Sequence, residues 1–198
     1  MSNPDALLHD FQSITEPLRL EELFVTPQPT ELEIGCGDGG FLLEHAQRHP
    51  ERNFLGVERL LGRVRKLSKN GQRADLTNLR LLRIEARYVL DYLLPERAFS
   101  AAHIYFPDPW PKDKHARHRL IQPDFLPRIR RVLAPGGVLY LRTDDLPYFE
   151  QMQETFRDAD GFTEEPTPAA LSEISTEFER QWLAEGKRTH YAAYRLNG

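Results

Sequence analysis

A glycine-rich segment is the first stretch of the chain whose residue types and spacing could do chemistry. Gly35, Gly37, Gly39 and Gly40 follow a short apolar run that predicts a buried β-strand. Glycines at such a turn let the backbone approach a ligand and aim the free N–H groups of the next helix at it. The pattern predicts a nucleotide-like ligand, although dinucleotide-binding enzymes and purely structural tight turns use similar sequences.

Three acidic residues narrow the choice of ligand. Glu58 ends the second predicted strand, where a carboxylate can accept hydrogen bonds from both hydroxyls of a ribose. Glu33 precedes the first glycine, where a carboxylate repels a pyrophosphate but attracts the sulfonium and ammonium groups of S-adenosylmethionine. Glu85 follows the third predicted strand, where it would meet an adenine edge or else cap a helix. Together they favour S-adenosylmethionine over a dinucleotide.

A second motif follows the fourth predicted strand. It reads Ile104-Tyr105-Phe106-Pro107-Asp108-Pro109-Trp110-Pro111-Lys112, and its three prolines fix φ and stiffen the backbone. Asp108 lies between two prolines, near Trp110, whose ring could stack on a base, and Lys112, which could meet a phosphate. The motif therefore predicts a place for a base, with a proline-stiffened loop as the alternative.

Basic residues are concentrated in two stretches, although the formal net charge of the chain is -4. Six basic residues and no acid lie from Arg59 to Arg73, and the segment Lys114-His115-Ala116-Arg117-His118-Arg119 continues the second motif. This polarity is typical of a protein with one basic face for a polyanion. Solvated helix faces are the alternative for either stretch.

Short apolar runs alternate with longer amphipathic runs after residue 30, which predicts an α/β fold with a parallel sheet. The predicted strands are Thr30–Gly35, Asn53–Val57, Leu79–Ile84, Ala101–Phe106 and Val138–Thr143, and the predicted helices are Phe41–Arg48, Leu60–Lys69, Ala86–Leu93 and Phe125–Leu133. Ala134-Pro135-Gly136-Gly137 predicts a turn after the last helix. Thr189–Leu196 predicts a final strand that closes an edge of the sheet. Residues 1–29 predict an irregular lead-in with one or two helical turns, before a single domain over residues 30–198.

The composition argues against several other classes of protein. No run reaches the roughly 18 apolar residues of a membrane span, and the first residues lack the pattern of a signal peptide, so we expect a cytoplasmic protein. Cys36 is the single cysteine, and we expect it to pack beneath the cofactor. His115 and His118 lie among cations, so no metal site is predicted there. The other histidines have no motif around them and are expected at surface or packing positions: His9, His45, His49, His103 and His190.

These motifs resemble those of the bacterial tRNA (guanine-N7)-methyltransferase family. The segments that carry the resemblance, in the family's usual order, are Glu33–Gly40, Gly56–Glu58, Tyr105–Lys112, Leu120–Pro123, Thr143–Asp144 and Thr176–Glu179. The resemblance implies one Rossmann-like domain with a mostly parallel seven-stranded sheet, an antiparallel final strand and helices on both faces. It also implies methyl transfer from S-adenosylmethionine to N7 of guanosine 46 in tRNA, without a metal.

The resemblance also implies roles for individual residues. Those implied in cofactor binding are Glu33, Gly35, Gly37, Glu58, Glu85 and Asp108, of which Asp108 is also the implied catalytic residue. Those implied in contact with the target guanosine are Lys112, Asp144, Thr176, Glu177, Phe178 and Glu179. Those implied in contact with the tRNA are Lys114, His115, Arg117, His118 and Arg119. Glu85 departs from the family pattern, which more often has Asn or Asp there.

Guanine N7 carries a lone pair and no proton, so we expect alignment rather than a general base to dominate catalysis. We expect Asp108 and Asp144 to hold the guanine through its N1–H and exocyclic amine, and to offset positive charge on the methylated ring. A nicotinamide-dependent oxidoreductase, a non-catalytic RNA-binding module and a methyltransferase for another RNA or a small molecule remain as alternatives. Monomer and homodimer both remain open.

Overall fold

The computed structural model describes residues 5–176, 179, 186 and 188–198. The strands are β1 Thr30–Ile34, β2 Asn53–Glu58, β3 Leu79–Arg83, β4 Phe99–Tyr105, β5 Leu133–Thr143, β6 Phe162–Glu165 and β7 His190–Leu196. The α-helices are α1 Leu20–Leu23, α2 Leu42–Arg48, α3 Leu61–Arg73, α4 Ala86–Tyr88, α5 Phe125–Val132, α6 Leu146–Arg157 and α7 Ala169–Ser172. A π-helical segment, Val89–Leu93, continues α4, and a 3-10 helix covers Asp113–His118.

The strands form one sheet in the order β3-β2-β1-β4-β5-β7-β6. The first five strands of this order are parallel, and β7 is antiparallel to both of its neighbours. The predicted α/β fold, with a mostly parallel seven-stranded sheet and an antiparallel final strand, is confirmed. The strand order reverses between β1 and β4, and the crevice outside the carboxyl ends of strands at such a point is where open α/β sheets bind ligands.

Helices cover both faces of the sheet, because neighbouring side chains of a strand point to opposite faces. One hydrophobic layer contains Leu32 and Leu55 together with buried residues of α5 and α6. The other contains Phe54 with Leu42 of α2 and Leu67 of α3. The glycine loop is therefore held between a buried strand and a buried helix. No helix among the described residues is long and apolar enough to cross a membrane.

The prediction that the final strand closes an edge of the sheet is wrong. β7 lies between β5 and β6, and its Ala193 and Tyr194 are buried. The edge on this side is β6, whose sequence Phe-Thr-Glu-Glu contains no apolar run that would predict a strand. Charged residues are common on edge strands because they discourage pairing with other chains. Because β6 contains such charged residues, a search for apolar runs does not detect it.

The turn expected at Ala134–Gly137 lies inside β5 instead of before it. Leu133 pairs with Phe99 and Val138 pairs with Ala101, so four residues of β5 lie opposite one residue of β4. Gly136 takes a φ of +74° there, a conformation that glycine adopts without steric cost. The glycines thus make an irregular bulge within the strand.

One long helix, α6, had no counterpart in the sequence prediction. Asp145 caps it through a hydrogen bond from Tyr148 N–H at 2.8 Å, and Tyr148, Met152 and Phe156 form its buried face at intervals of four residues. The lead-in, by contrast, contains the expected helical turn, α1. Leu8 in that lead-in forms a parallel bridge with Leu81, so the lead-in covers the β3 edge.

Candidate functional site

A pocket of about 390 Å³ lies at the carboxyl ends of β1, β2 and β4. The predicted site residues Gly35, Glu58, Glu85 and Asp108 all line it. Other charged or aromatic residues that line it are Arg59, Arg63, Arg87, Tyr105, Phe106, Trp110 and His118. The structure therefore brings the glycine loop and the proline-rich motif to one cavity, at the point where the strand order reverses.

The glycine loop is a tight turn that needs its glycines. Gly35, Gly37 and Gly39 have φ values of +78°, +53° and +81°. A Cβ atom on Gly39 would lie 2.1 Å from Leu67 Cδ1, which α3 holds in the core. Cys36 in the same loop is buried, and burial raises the pKa of its thiol well above the ordinary value. A packing role for Cys36 fits this environment better than nucleophilic chemistry, which needs the thiolate.

Glu58 connects the end of β2 to the glycine loop. Its Oε2 accepts a hydrogen bond from Gly37 N–H at 3.2 Å, and its Oε1 accepts one from Leu60 N–H at 2.8 Å. The side chain is nonetheless part of the pocket wall. Glu58 therefore orders the loop and presents a carboxylate to the cavity at the same time.

Glu33 lies in β1, one residue below Ile34 of the pocket wall, and is only 4% exposed. Its Oε2 atom has no hydrogen-bond partner among the described residues. Burial raises the pKa of Glu33, Arg142 opposes the rise and the nearby Glu58 adds to it, so that the pKa is about 8. An unpaired buried carboxyl beside a pocket favours a cationic ligand, because a positive charge there would offset the cost of ionising it.

Glu85 takes the capping position that the sequence analysis left as an alternative. Its Oε2 accepts a hydrogen bond from Tyr88 N–H at 2.9 Å, at the first turn of α4. The side chain also lines the pocket. Its contact with adenine stays a prediction.

The loop around Asp108 is strained on both sides of that residue. Phe106 and Trp110 have φ values of +52° and +44°, which non-glycine residues rarely adopt and which cost roughly 1–3 kcal/mol each. Phe106 N–H donates to Arg142 O at 2.8 Å, and Arg119 Nε–H donates to Pro109 O at 2.7 Å. These contacts hold the strained loop so that the exposed Asp108 carboxylate stays at the pocket rim.

The basic segment after this loop divides into two parts. Lys114, Arg117 and His118 are exposed on the 3-10 helix, and His118 lies 5.1 Å from the Trp110 ring. Arg119 is only 9% exposed: its guanidinium lies 4.8 Å from the Tyr148 ring and donates to Gln151 as well as to Pro109. Arg119 therefore anchors the loop, and little of its side chain is exposed for the tRNA contact implied for it. His115, on the same 3-10 helix, is half-buried.

The segment implied in guanosine contact is partly used by the fold. Thr176 and Glu179 exchange hydrogen bonds as a capping box, with Thr176 N–H donating to Glu179 Oε2 at 2.8 Å and Glu179 N–H to Thr176 Oγ1 at 3.0 Å. Tyr191 O–H donates to the other oxygen at 3.1 Å. Both oxygens of the Glu179 carboxylate are thus engaged within the fold, and the guanosine contact implied for this residue stays a prediction. Glu177 and Phe178 lie outside the described residues.

Lys112 and Asp144, also implied in guanosine contact, lie at the carboxyl ends of β4 and β5. Lys112 is exposed and precedes the 3-10 helix, and Asp144 directly follows β5. Tyr105 of β4 pairs with Arg142 of β5, so the chain leaves both strands at the same level. The segments that carry Asp108 and Asp144 therefore leave the sheet at the ends of two adjacent strands.

The sequence analysis missed Arg142, the most deeply buried charged residue near the site. It is 1% exposed, its guanidinium carbon lies 4.1 Å from the centre of the Tyr105 ring, and it donates to Ile174 O at 2.9 Å. Arginine within an apolar strand has no motif of its own, so the sequence carried no signal for it. Its position links β5 to the segment after α7.

His45 and His103, which were expected at surface or packing positions, are buried and form a cluster with Glu31. Both Nε2 atoms lie 2.9 Å from Glu31 Oε2, His103 Nδ1 lies 2.8 Å from Tyr105 Oη, and Arg52 pairs with the other Glu31 oxygen. Glutamate and histidine are groups that can ligate a metal. Here the donors are engaged with one another and an arginine balances the carboxylate, so we interpret the cluster as a buried hydrogen-bond network.

Comparisons with known proteins show the family to which the chain belongs. A protein-family model described as "Putative methyltransferase" matches residues 27–192. A tRNA (guanine-N(7)-)-methyltransferase of Syntrophotalea carbinolica is 34% identical over 190 residues, which cover 94% of this chain and 82% of that protein. A protein of the same name from Chromohalobacter salexigens is 41% identical over 149 residues, which cover 75% of this chain and 61% of that longer protein.

Solved structures resemble the chain in fold. The crystal structure of the 16S rRNA methyltransferase KamB superposes with a TM-score of 0.63 at 16% identity, over 90% of this chain and 93% of that one. At this identity the likeness concerns the Rossmann-like fold alone. The sequence relatives and the matching family model together show that the chain belongs to the tRNA (guanine-N7)-methyltransferase family.

Proposed function

We propose that this protein transfers the methyl group of S-adenosylmethionine to N7 of a guanosine in tRNA, and that the target is guanosine 46. The observation that carries the proposal is the buried Glu33 carboxyl, whose Oε2 has no partner among the described residues, beside a pocket that the glycine loop and the strained Asp108 loop both line. A ligand with a positive charge suits the buried Glu33 carboxyl. A planar base suits the Asp108 loop, because Trp110 and Asp108 share the rim.

The residues present fit S-adenosylmethionine, which when bound would supply an electrophilic methyl group on a sulfonium. The backbone of Gly35 and Gly37 leaves room for close approach, and Glu58 offers a carboxylate to ribose hydroxyls. Glu33 supplies negative charge, and Glu85 lies on the wall where an adenine edge would fall. We propose these residues and Asp108 as the cofactor site.

At the acceptor side, orientation is the main task of the protein. Asp108 and Asp144 start from adjacent strand ends and would bind the guanine N1–H and exocyclic amine, so that N7 faces the cofactor. Their negative charge would offset the charge that develops on the ring. Lys112, at the start of the 3-10 helix, would bind a nearby phosphate or the guanosine. Thr176 would contact the guanosine.

The exposed cations of the 3-10 helix are proposed to contact the tRNA in the cytoplasm. Lys114, Arg117 and His118 are exposed on this one short element, His115 is half-buried, and the rings of both histidines lie near Trp110. Such a cluster binds phosphates without reading sequence. Arg119 has a positioning role in this scheme.

The proposal is tested with purified protein, S-adenosylmethionine carrying a labelled methyl group, and unmodified tRNA transcripts. The expected result is one 7-methylguanosine per tRNA at position 46, and loss of labelling in a transcript with adenosine there. Methylation at another position would overturn the target assignment. Absence of 7-methylguanosine from the tRNA, with labelling of another RNA or of a small molecule, would overturn the proposed function.

A further inference from the structure

We propose that the solvent face of α3 is a second tRNA contact, which holds the RNA on the side of the pocket opposite the 3-10 helix. This inference rests on the proposed function. The surface is defined by Arg59, which lies just before the helix, and by Arg63, Arg65, Lys66, Lys69 and Arg73 of α3, all of which are exposed.

The two faces of α3 differ sharply in chemistry. Val64, Leu67 and Gly71 are buried against the sheet and the lead-in, and this apolar side is what attaches the helix to the fold. With 3.6 residues per turn, the basic side chains fall on the opposite side. Packing of the helix therefore explains the apolar face and leaves the cations unexplained.

Acidic neighbours balance only part of this charge. Arg65 pairs with Asp5 at 2.9 Å, and Lys66 pairs with Asp38 at 2.5 Å, with Arg63 3.9 Å from the same carboxylate. Exposed ion pairs of this kind contribute at most about 1 kcal/mol, so a polyanion could compete with them.

Three further cations of the surface, Arg59, Lys69 and Arg73, form no ion pair within the described part of the chain. The net charge of the whole chain is -4, so these cations are a local excess. A local excess of this kind marks a surface for a polyanion more clearly than the same charges would on a basic protein.

The surface is continuous with the pocket. Arg59 and Arg63 line one side of the cavity, while Trp110 and His118 line it with them. From there α3 continues for 13 residues, which corresponds to about 20 Å at 1.5 Å per residue. A small acceptor would not reach that far, whereas a tRNA whose guanosine enters the pocket would bring neighbouring phosphates over both rims.

The test uses Lys69→Gln/Arg73→Gln, since these two side chains lie outside the pocket wall. The matched control is Arg97→Gln/Arg157→Gln, which removes the same charge from exposed positions before β4 and at the end of α6. Binding of unmodified tRNA is measured at several salt concentrations, with S-adenosylmethionine affinity and thermal unfolding as checks on folding. The α3 variant should bind tRNA about tenfold more weakly or worse, and its log–log salt slope should fall by about 1.4–1.8, at 0.7–0.9 per lost phosphate contact.

Each outcome has a defined meaning. A weaker, less salt-dependent complex for the α3 variant alone supports the surface. Equal behaviour of the α3 variant and the control overturns the inference and leaves the proposed function intact, provided that the wild-type protein still methylates guanine N7 in tRNA. A wild-type protein that neither binds nor methylates tRNA overturns both.

Discussion

Arg142 Nη1 lies 3.2 Å from Glu179 Oε2, and both side chains are almost completely buried. Arg142 lies in β5, which Asp144 directly follows, and Glu179 forms the capping box with Thr176. Arg142 also lowers the pKa of Glu33, although burial raises that pKa more strongly. One buried cation thus connects Glu33 of β1 to the capping box of Thr176 and Glu179.

This ion pair should be important for stability. Arg142→Met leaves the Glu179 carboxylate buried without its cation, and removing one partner of a buried pair costs roughly 3–5 kcal/mol. Arg142→Met/Glu179→Gln should recover part of that loss. Urea unfolding measures both, with the exposed Arg157→Met as a control that should stay within about 0.5 kcal/mol of wild type. Equal destabilisation by the buried and exposed changes would show that the pair is not structural.

Asp108 should be required for turnover rather than for tRNA binding. Asp108→Ala should lower kcat about 100-fold or more, because the proposed role of the carboxylate is to hold the guanine, whereas the proposed phosphate contacts lie in the basic residues. Single-turnover methylation and a tRNA-binding titration separate the two effects. Asp160→Ala, at an exposed position beyond α6, is the matched control. An active Asp108→Ala protein would refute the assigned role.

Cofactor affinity should depend on pH through Glu33. The pKa of this carboxyl is raised to about 8 by burial, so at neutral pH it is largely protonated in the free protein. A sulfonium favours the ionised form, so the dissociation constant of S-adenosylmethionine should fall as pH rises toward 8, by up to about tenfold per pH unit. S-adenosylhomocysteine, without the sulfonium charge, should show a smaller slope.

Calorimetry in two buffers of different ionisation enthalpy measures this dependence as proton release on binding. Glu33→Gln should bind S-adenosylmethionine more weakly and without net proton release. If the substituted protein keeps the wild-type pH slope, another group is responsible.

Arg117 and Arg119 should behave differently despite their proximity in sequence. Arg117→Gln should weaken tRNA binding and reduce the salt slope by about 0.7–0.9, without a change in stability, because its side chain is exposed. Arg119→Gln should lower the free energy of unfolding by about 1–3 kcal/mol, since it removes the hydrogen bonds to Pro109 and Gln151. Binding isotherms and urea unfolding of the two variants distinguish these effects. Identical phenotypes would contradict the division of roles.

Local patterns were enough to predict much of this protein. The alternation of apolar runs located five parallel strands within a few residues, because buried strands consist of continuous apolar residues. The placement of Gly35, Glu58, Glu85 and Asp108 followed from one further fact, that parallel strands bring their carboxyl ends to one edge. These features depend on residues that are near one another in the sequence, so they can be predicted without knowledge of the tertiary structure.

Long-range contacts decided the rest. The 3-10 helix leaves Arg117 exposed, whereas Arg119 folds back onto Tyr148. Arg119 and Tyr148 are 29 positions apart in the chain. Arg142, the Glu31 network and the central position of β7 likewise depend on which distant elements pack together. The sequence by itself determined which residues are the candidates for the chemistry. Only the tertiary structure decided which charges face solvent and which hold the site, because burial and pairing are properties of the packed chain.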